Sequence, residues 1–129
     1  MLIPLPKNPD AKMCYNYALN ILGERVPKKY EDIIRTDAFY AYCYALNVIK
    51  DRWIEGEEVI RNDVLYAYLY ALYVIKGRFI EAENIIKTNA YHAYYYALDV
   101  IKGRFIEVED VIKTNACYWN NYKKHFNIC

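Results

Sequence analysis

The sequence predicts an all-α solenoid of stacked helix-turn-helix repeats, and three observations carry that expectation. Tyr-Ala-Leu recurs at Tyr17, Tyr44, Tyr70 and Tyr96, each time followed by an aliphatic pair and a basic, acidic, aliphatic tail. An Asp or Asn opens every unit, at Asp10, Asp37, Asp63, Asn89 and Asn115, with separations of 27, 26, 26 and 26 residues. Residues 63–88 and 89–114 match at most positions. A fixed period of this length marks a module that buries its apolar face by stacking on copies of itself. The units are 10–36, 37–62, 63–88 and 89–114, preceded by an N-terminal arm, 1–9, and followed by a capping helix, 115–129.

Each opening Asx is a preferred N-cap, because its side-chain oxygen accepts an unpaired N–H of the first helical turn. In the last full unit the first helix is expected over 90–102, ending at Gly103, with Gly77 and Asp51 taking the same left-handed position in earlier units. A second, shorter helix is expected over 105–113, with Ile106, Val111 and Ile112 as its aliphatic side. Glu57 and Arg61, Glu83 and Lys87, and Glu109 and Lys113 stand four apart in the favourable order for surface pairs. The first unit carries one extra residue between Gly23 and Lys28, with Pro27 at the start of its second helix, so Arg25 corresponds to Arg52, Arg78 and Arg104 only approximately.

Comparing units within the chain separates packing positions from free ones. At about 100° per residue, Ala90, Ala93, Ala97, Val100 and Ile101 share one helix face, as do Val64, Ala67, Ala71, Val74 and Ile75. Alanines four apart let backbones approach closely, so this is the expected stacking face. The opposite face changes from unit to unit: Phe39, Tyr40, Cys43 and Asn47, then Leu65, Tyr66, Leu69 and Tyr73, then Tyr91, His92, Tyr95 and Asp99. Packing demands none of these, which makes them the candidate recognition residues. Two flanking rows, Tyr42, Tyr68, Tyr94 and Tyr44, Tyr70, Tyr96, are expected to pack their rings between helices and direct their hydroxyls outward. In 115–129 the alanine positions become Trp119 and Lys123, while Asn120, Asn121, Lys123 and Lys124 supply the polar exterior of a cap.

Composition narrows the function classes. The formal net charge is +1, without the basic excess of a dedicated polyanion binder. The 16 tyrosines give too much aromatic content for a disordered segment. Charged residues interrupt every apolar run well before the roughly 20 residues of a membrane helix, and 1–9 lacks a basic n-region and a full h-region, so it reads as an arm and not a signal peptide. The expected location is the cytoplasm. Cys14, Cys43, Cys117 and Cys129 occupy unrelated positions and form no CxxC pair, which favours reduced thiols over a disulfide or metal framework.

No catalytic constellation stands out. His92 replaces Tyr40 and Tyr66 in its unit, His125 lies in the cap, and neither belongs to a recurring nucleophile or base arrangement. Glu55, Glu57, Glu81, Glu83, Glu107 and Glu109 repeat with basic partners and read as solvated helix faces, and the isolated glycines form no phosphate loop. No cofactor or metal is implied. Lys50, Lys76 and Lys102 with Arg52, Arg78 and Arg104 line one corner of the array and would serve, in an alternative reading, as a phosphate rail for a nucleotide or single-stranded nucleic acid. Helix-dipole complementation by the lysines and corner ties by the arginines explain the same rows, and the accompanying Glu row favours that explanation.

The string Tyr-Ala-Leu-Asp-Val-Ile-Lys-Gly-Arg-Phe-Ile-Glu-Val-Glu at 96–109, with its sister at 70–83, resembles a short tandem repeat of bacteriophage and large DNA virus proteins, of the pattern Tyr-Ala, spacer, Val-Ile-x-Gly-Arg-Trp/Phe-x-Glu-Ala-Glu. The likeness covers 37–114 well and 10–36 loosely. It implies a viral helical-repeat protein without assigned catalysis, and it transfers no functional residues. A looser similarity to tetratricopeptide and Sel1-like helix pairs points by analogy to protein binding. The leading expectation is thus a non-enzymatic interaction module that binds a host protein through its variable Tyr-rich face. Nucleic-acid binding at the Lys/Arg corner and self-assembly as a homo-oligomer are the alternatives.

Overall fold

The computed structural model of the protein describes residues 4–129; Met1, Leu2 and Ile3 of the expected arm lie outside the described residues. The Asx openings all act as N-caps. Asp10, Asp37, Asn89 and Asn115 accept from the N–H three residues on, at 2.9 to 3.2 Å, and Asp63 accepts from both Leu65 and Tyr66. These caps start the long helices α1 (Ala11–Tyr17), α3 (Ala38–Tyr44), α5 (Val64–Tyr70), α7 (Ala90–Tyr95) and α9 (Ala116–His125). Between them lie the short helices α2 (Lys28–Ile34), α4 (Glu57–Ile60), α6 (Glu83–Ile86) and α8 (Glu109–Ile112), the last three entered through single 3-10 turns. Among the described residues there is no strand, and no helix is long and apolar enough to cross a membrane.

The first four long helices end in a widened, π-type turn: Ala18–Leu22, Ala45–Ile49, Ala71–Ile75 and Tyr96–Ile101. The left-handed residue that stops each helix is not the expected Asp51, Gly77 or Gly103 but the residue before it. Lys50, Lys76 and Lys102 have φ of 62°, 59° and 60°, and Gly23 occupies the same place in the first unit at 67°. The N–H groups of Lys76 and Gly77 both reach the Ala71 carbonyl, so the chain reverses directly after Ile75 and the glycine lies just past the turn. A lysine in this conformation is strained relative to glycine, yet it places a cation at the carbonyl end of the helix dipole.

The long helices form one row, each packed on the next, and the short helices form a second layer: α2 against α1 and α3, α4 against α3 and α5, α6 against α5, and α8 against α7 and α9. The expected alanine face holds. Ala41, Ala45, Ala67, Ala71, Ala93 and Ala97 are fully buried where neighbouring helices meet, while Ile34, Ile60, Ile86 and Ile112 close the core from the short helices. Leu5 of the arm packs partly against this core. Ile106, expected in the apolar side of its short helix, instead stands in solvent, because Phe105 and Val108 take the inward positions of that turn.

One core slot shows compensation between units. It holds Trp53 with Gly56, Phe79 with Ala82, and Phe105 with Val108. A Cβ on Gly56 would overlap the Trp53 ring, so the larger indole and the missing methyl belong together. The indole carries a penalty that phenylalanine does not: Trp53 Nε1 is buried without a hydrogen-bond partner.

Candidate functional site

The stacking interface contains a buried polar clamp, repeated at every junction. Arg52 donates to Glu57 through Nε (2.9 Å) and Nη2 (2.7 Å); the Tyr70 hydroxyl, from the following unit, donates to Glu57 Oε2 (2.6 Å) and accepts from the Trp53 N–H (2.8 Å). Arg78, Glu83, Tyr96 and the Phe79 N–H repeat the arrangement with distances of 2.6 to 2.8 Å. Arg104, Glu109, Tyr122 and Phe105 form the next copy, and Arg25, Glu31, Tyr44 and Val26 the first. The bidentate guanidinium fixes the carboxylate, and the carboxylate fixes the tyrosine of the next helix, so each clamp sets the register of one unit on another.

The clamp corrects several expectations. Glu57, Glu83 and Glu109 are buried, not solvated, and the described ion pairs join them to the arginine five residues earlier and not to Arg61, Lys87 or Lys113. Tyr44, Tyr70 and Tyr96 are fully buried with their hydroxyls inward. Arg25 stands in full register with the other arginines, since Val26 N–H meets Tyr44 as Trp53 N–H meets Tyr70; the extra residue falls between Val26 and Glu31, where Pro27 caps α2. Tyr122 keeps the clamp in the terminal helix. Adding 26 to Tyr96 would have located it.

Burial alone would raise the Glu83 carboxyl, but the hydrogen bonds from Arg78 and Tyr96 outweigh it and hold the group below the ordinary carboxylate value. The same balance lowers Glu31, and at Glu109 the Arg104 bond is the largest influence. Burial, then donation to a carboxylate, pushes the Tyr44, Tyr70 and Tyr96 phenols well above their usual range and Tyr122 up to about 12.

A second repeated contact runs through the variable face. Tyr15 meets Tyr40, Tyr42 stacks on Tyr66, Tyr68 meets His92, and Tyr94 stacks on Tyr118, with ring centroids 5.3 to 6.1 Å apart. Each pair spans two units, so half-buried Tyr40, Tyr66 and His92 contribute to stacking as well as to surface. Asn47 donates to the Tyr15 hydroxyl (2.9 Å), and the Tyr68 hydroxyl donates to Asp99 (2.7 Å). Burial lowers the His92 pKa from its ordinary value. Cys43, Leu69 and Tyr95 are half-buried and Tyr73 is exposed. What remains open on this face is Phe39 (42%), Leu65 (42%), Tyr91 (47%) and Tyr73 (53%), together with Asn47. The first three occupy one position in successive units, and the variable position was the signal that found them.

At the corner, Lys50, Lys76 and Lys102 are exposed, whereas Arg52, Arg78 and Arg104 direct their guanidiniums into the clamps. Shallow grooves of about 280, 340 and 450 Å³ separate successive long-helix ends, and their walls are the carbonyl-terminated π turns with the lysines at the rim. Helix C-termini disfavour anions. Among the described residues no group of His, Cys, Asp and Glu side chains is placed to hold a metal, and the four cysteines are free. Comparisons with protein-family models, curated proteins and solved structures each return no match. The fold and surface define an all-helical, tyrosine-rich repeat protein.

Proposed function

We propose that the chain is a non-enzymatic helical-repeat module that binds another protein through the aromatic face of its long helices. One observation carries this reading. Once stacking has used the inner rings, four of the five side chains left open at the varying positions are large and apolar, namely Phe39, Leu65, Tyr91 and Tyr73, with Asn47 the polar exception, while the cores beneath them are nearly identical. Phe39 leans on Tyr66 and Tyr91 on Tyr118, so the exposed rings rest on a rigid base. Rigid aromatic anchors on an ordered scaffold are what binding hot spots are made of. The resemblance of 96–109 to repeats of phage and large DNA virus proteins supports a viral origin, and with it a host protein as partner in the host cytoplasm. The nucleic-acid alternative is the weaker one, since half of its basic row is engaged in clamps.

The test is capture of host proteins by the immobilised chain, compared with a Phe39→Ser, Leu65→Ser, Tyr73→Ser, Tyr91→Ser variant of equal helicity. A direct partner lost by the variant and retained by Ile80→Lys supports the reading. Equal capture by both proteins removes this face from consideration, and saturable low-salt binding of a single-stranded oligonucleotide, lost in Lys50→Gln, Lys76→Gln, Lys102→Gln, would replace it with the rival.

A further inference from the structure

The charge of the chain is unevenly placed. Of 17 lysines and arginines and 16 aspartates and glutamates, residues 111–129 hold three lysines, Lys113, Lys123 and Lys124, and no carboxylate side chain. Where α9 departs from the repeat it gains cations and an indole: Trp119 stands in the place of Ala93, Lys123 in that of Ala97 and Lys124 in that of Leu98. Helix dipoles account for lysines at the ends of α8 and α9. They do not account for a tryptophan set among those lysines at an alanine position.

These groups converge. The ammonium groups of Lys113 and Lys123 lie 4.9 and 5.8 Å from the Trp119 ring centroid. Trp119 is half-buried and nearly parallel to Tyr122, with 21° between the planes and centroids 5.5 Å apart. Tyr122 is itself held by the last clamp, through Glu109 and the Phe105 N–H. The indole is therefore seated on a fixed base beside cations from two different helices. Lys113 has one acidic partner, Asp110 at 3.7 Å, which is almost fully in solvent and neutralises it weakly. Lys123 and Lys124 make no ion pair among the described residues.

We propose that this end of the array is a contact site for single-stranded nucleic acid, with a base stacked on Trp119 and the flanking phosphates met by Lys113, Lys123 and Lys124. Charge complementarity calls for an anion, since two ammonium groups held at one indole repel each other until a negative charge lies between them. The indole selects among anions: a base offers it a π face, whereas an acidic peptide would use the lysines alone. A membrane surface fits less well, because exposed Asn120 and Asn121 follow Trp119 and break any continuous apolar face. The ammonium groups end flexible side chains, so an entering base takes their place over the ring and they move to its phosphates. Three phosphate contacts make a weak, salt-sensitive site. It shares no residue with the aromatic face or with the Lys/Arg corner, so its failure leaves the protein-binding reading standing.

The experiment is titration of the whole chain with a labelled oligothymidylate of about 15 nucleotides, between about 20 and 200 mM salt, read by anisotropy and by tryptophan emission. The expected result is saturable binding with quenched emission and a slope of log affinity on log salt of about −2, as three phosphate contacts on a single strand require. Lys113→Gln/Lys123→Gln/Lys124→Gln should keep its helical circular dichroism, weaken binding at least about tenfold at the lowest salt and flatten that slope. Trp119→Leu should weaken binding about fivefold or more with the slope retained, and Lys50→Gln/Lys76→Gln/Lys102→Gln should bind as the wild type. Binding that is absent at the lowest salt, that is unchanged in the Lys113, Lys123 and Lys124 variant, or that is matched in affinity by a poly-glutamate peptide or by phosphatidylcholine–phosphatidylserine vesicles overturns the proposal.

Discussion

Two rows three residues apart in the chain contradict what hydropathy alone would assign them. Glu57, Glu83 and Glu109 lie inside the array, at 5, 5 and 7% exposure, while Ile54, Ile80 and Ile106 stand outside. The carboxylates can be buried because every charge and donor around them is matched: two guanidinium bonds, one phenol bond, and a backbone N–H on the same phenol. Nothing pulls the isoleucines in, because the aromatic one residue earlier and the small residue two later already fill the slot. Side-chain type did not decide burial here; the hydrogen-bond partners offered by the next unit did.

The comparison can be broken most severely from the inside. Glu83→Ala removes the acceptor of both Arg78 and Tyr96, and a loss of about 3 kcal/mol is expected in equilibrium denaturation. That is the low end for breaking a buried pair, because Arg78 is half exposed and can be hydrated. Ile80→Ser, three residues earlier, should change stability by no more than about 0.5 kcal/mol. Equal losses in the two variants would refute the inside and outside assignment.

Tyr70→Phe should cost about 2 kcal/mol, since it leaves the Trp53 N–H unsatisfied in the core and takes one of two hydrogen bonds from Glu57 Oε2, while preserving ring packing. Tyr73→Phe, on the exposed face, is the matched control and should be near neutral. Gly56→Ala should destabilise by about 1 to 3 kcal/mol through overlap with the indole. Trp53→Phe should recover most of that loss in the double variant, because Phe with Ala is the pair that the following unit already uses. A double variant as unstable as Gly56→Ala would sink the compensation argument.

The pH dependence follows from the same clamps. Glu31, Glu83 and Glu109 have folded values below their unfolded ones, so their stabilisation is full above the ordinary carboxylate value, about 4.3, and is lost as pH falls below it. The raised phenols have the opposite sign: their stabilisation is full below about pH 10 and is lost as pH rises beyond it. Denaturant midpoints should therefore form a plateau across neutral pH with a fall at each end. Tyr44→Phe, Tyr70→Phe and Tyr96→Phe together should flatten the alkaline fall. A gain of up to about 1 kcal/mol is expected in Lys76→Gly, which relieves the left-handed strain at φ 59°.

Much of this architecture was readable before any coordinates. The Asx caps, the alanine pairs and the period located every long helix, since these signals are local to one unit. The clamp was harder to see because it is assembled from Arg52, Glu57 and Tyr70, the last of which belongs to the next unit. A surface pair four residues apart offered a simpler home for Glu57. The clue was present in the joint recurrence of Arg, Glu and Tyr at fixed offsets, and Tyr122 completed it where the rest of the pattern had decayed. The aromatic candidates were found through their variation, but their division into stacked Tyr40, Tyr66 and His92 and open Phe39, Leu65 and Tyr91 depended on ring contacts between units.

The sequence by itself determined the helices and the stacked, all-α architecture, because caps, alanine spacing and a 26-residue period act through the backbone and through nearest neighbours. Only the tertiary structure decided which side of each turn faces the core, which charges are neutralised and which apolar groups remain exposed. Those outcomes depend on partners brought together from successive units, where a carboxylate is stable only if the next helix supplies the phenol and an isoleucine is left outside once another side chain has filled its place.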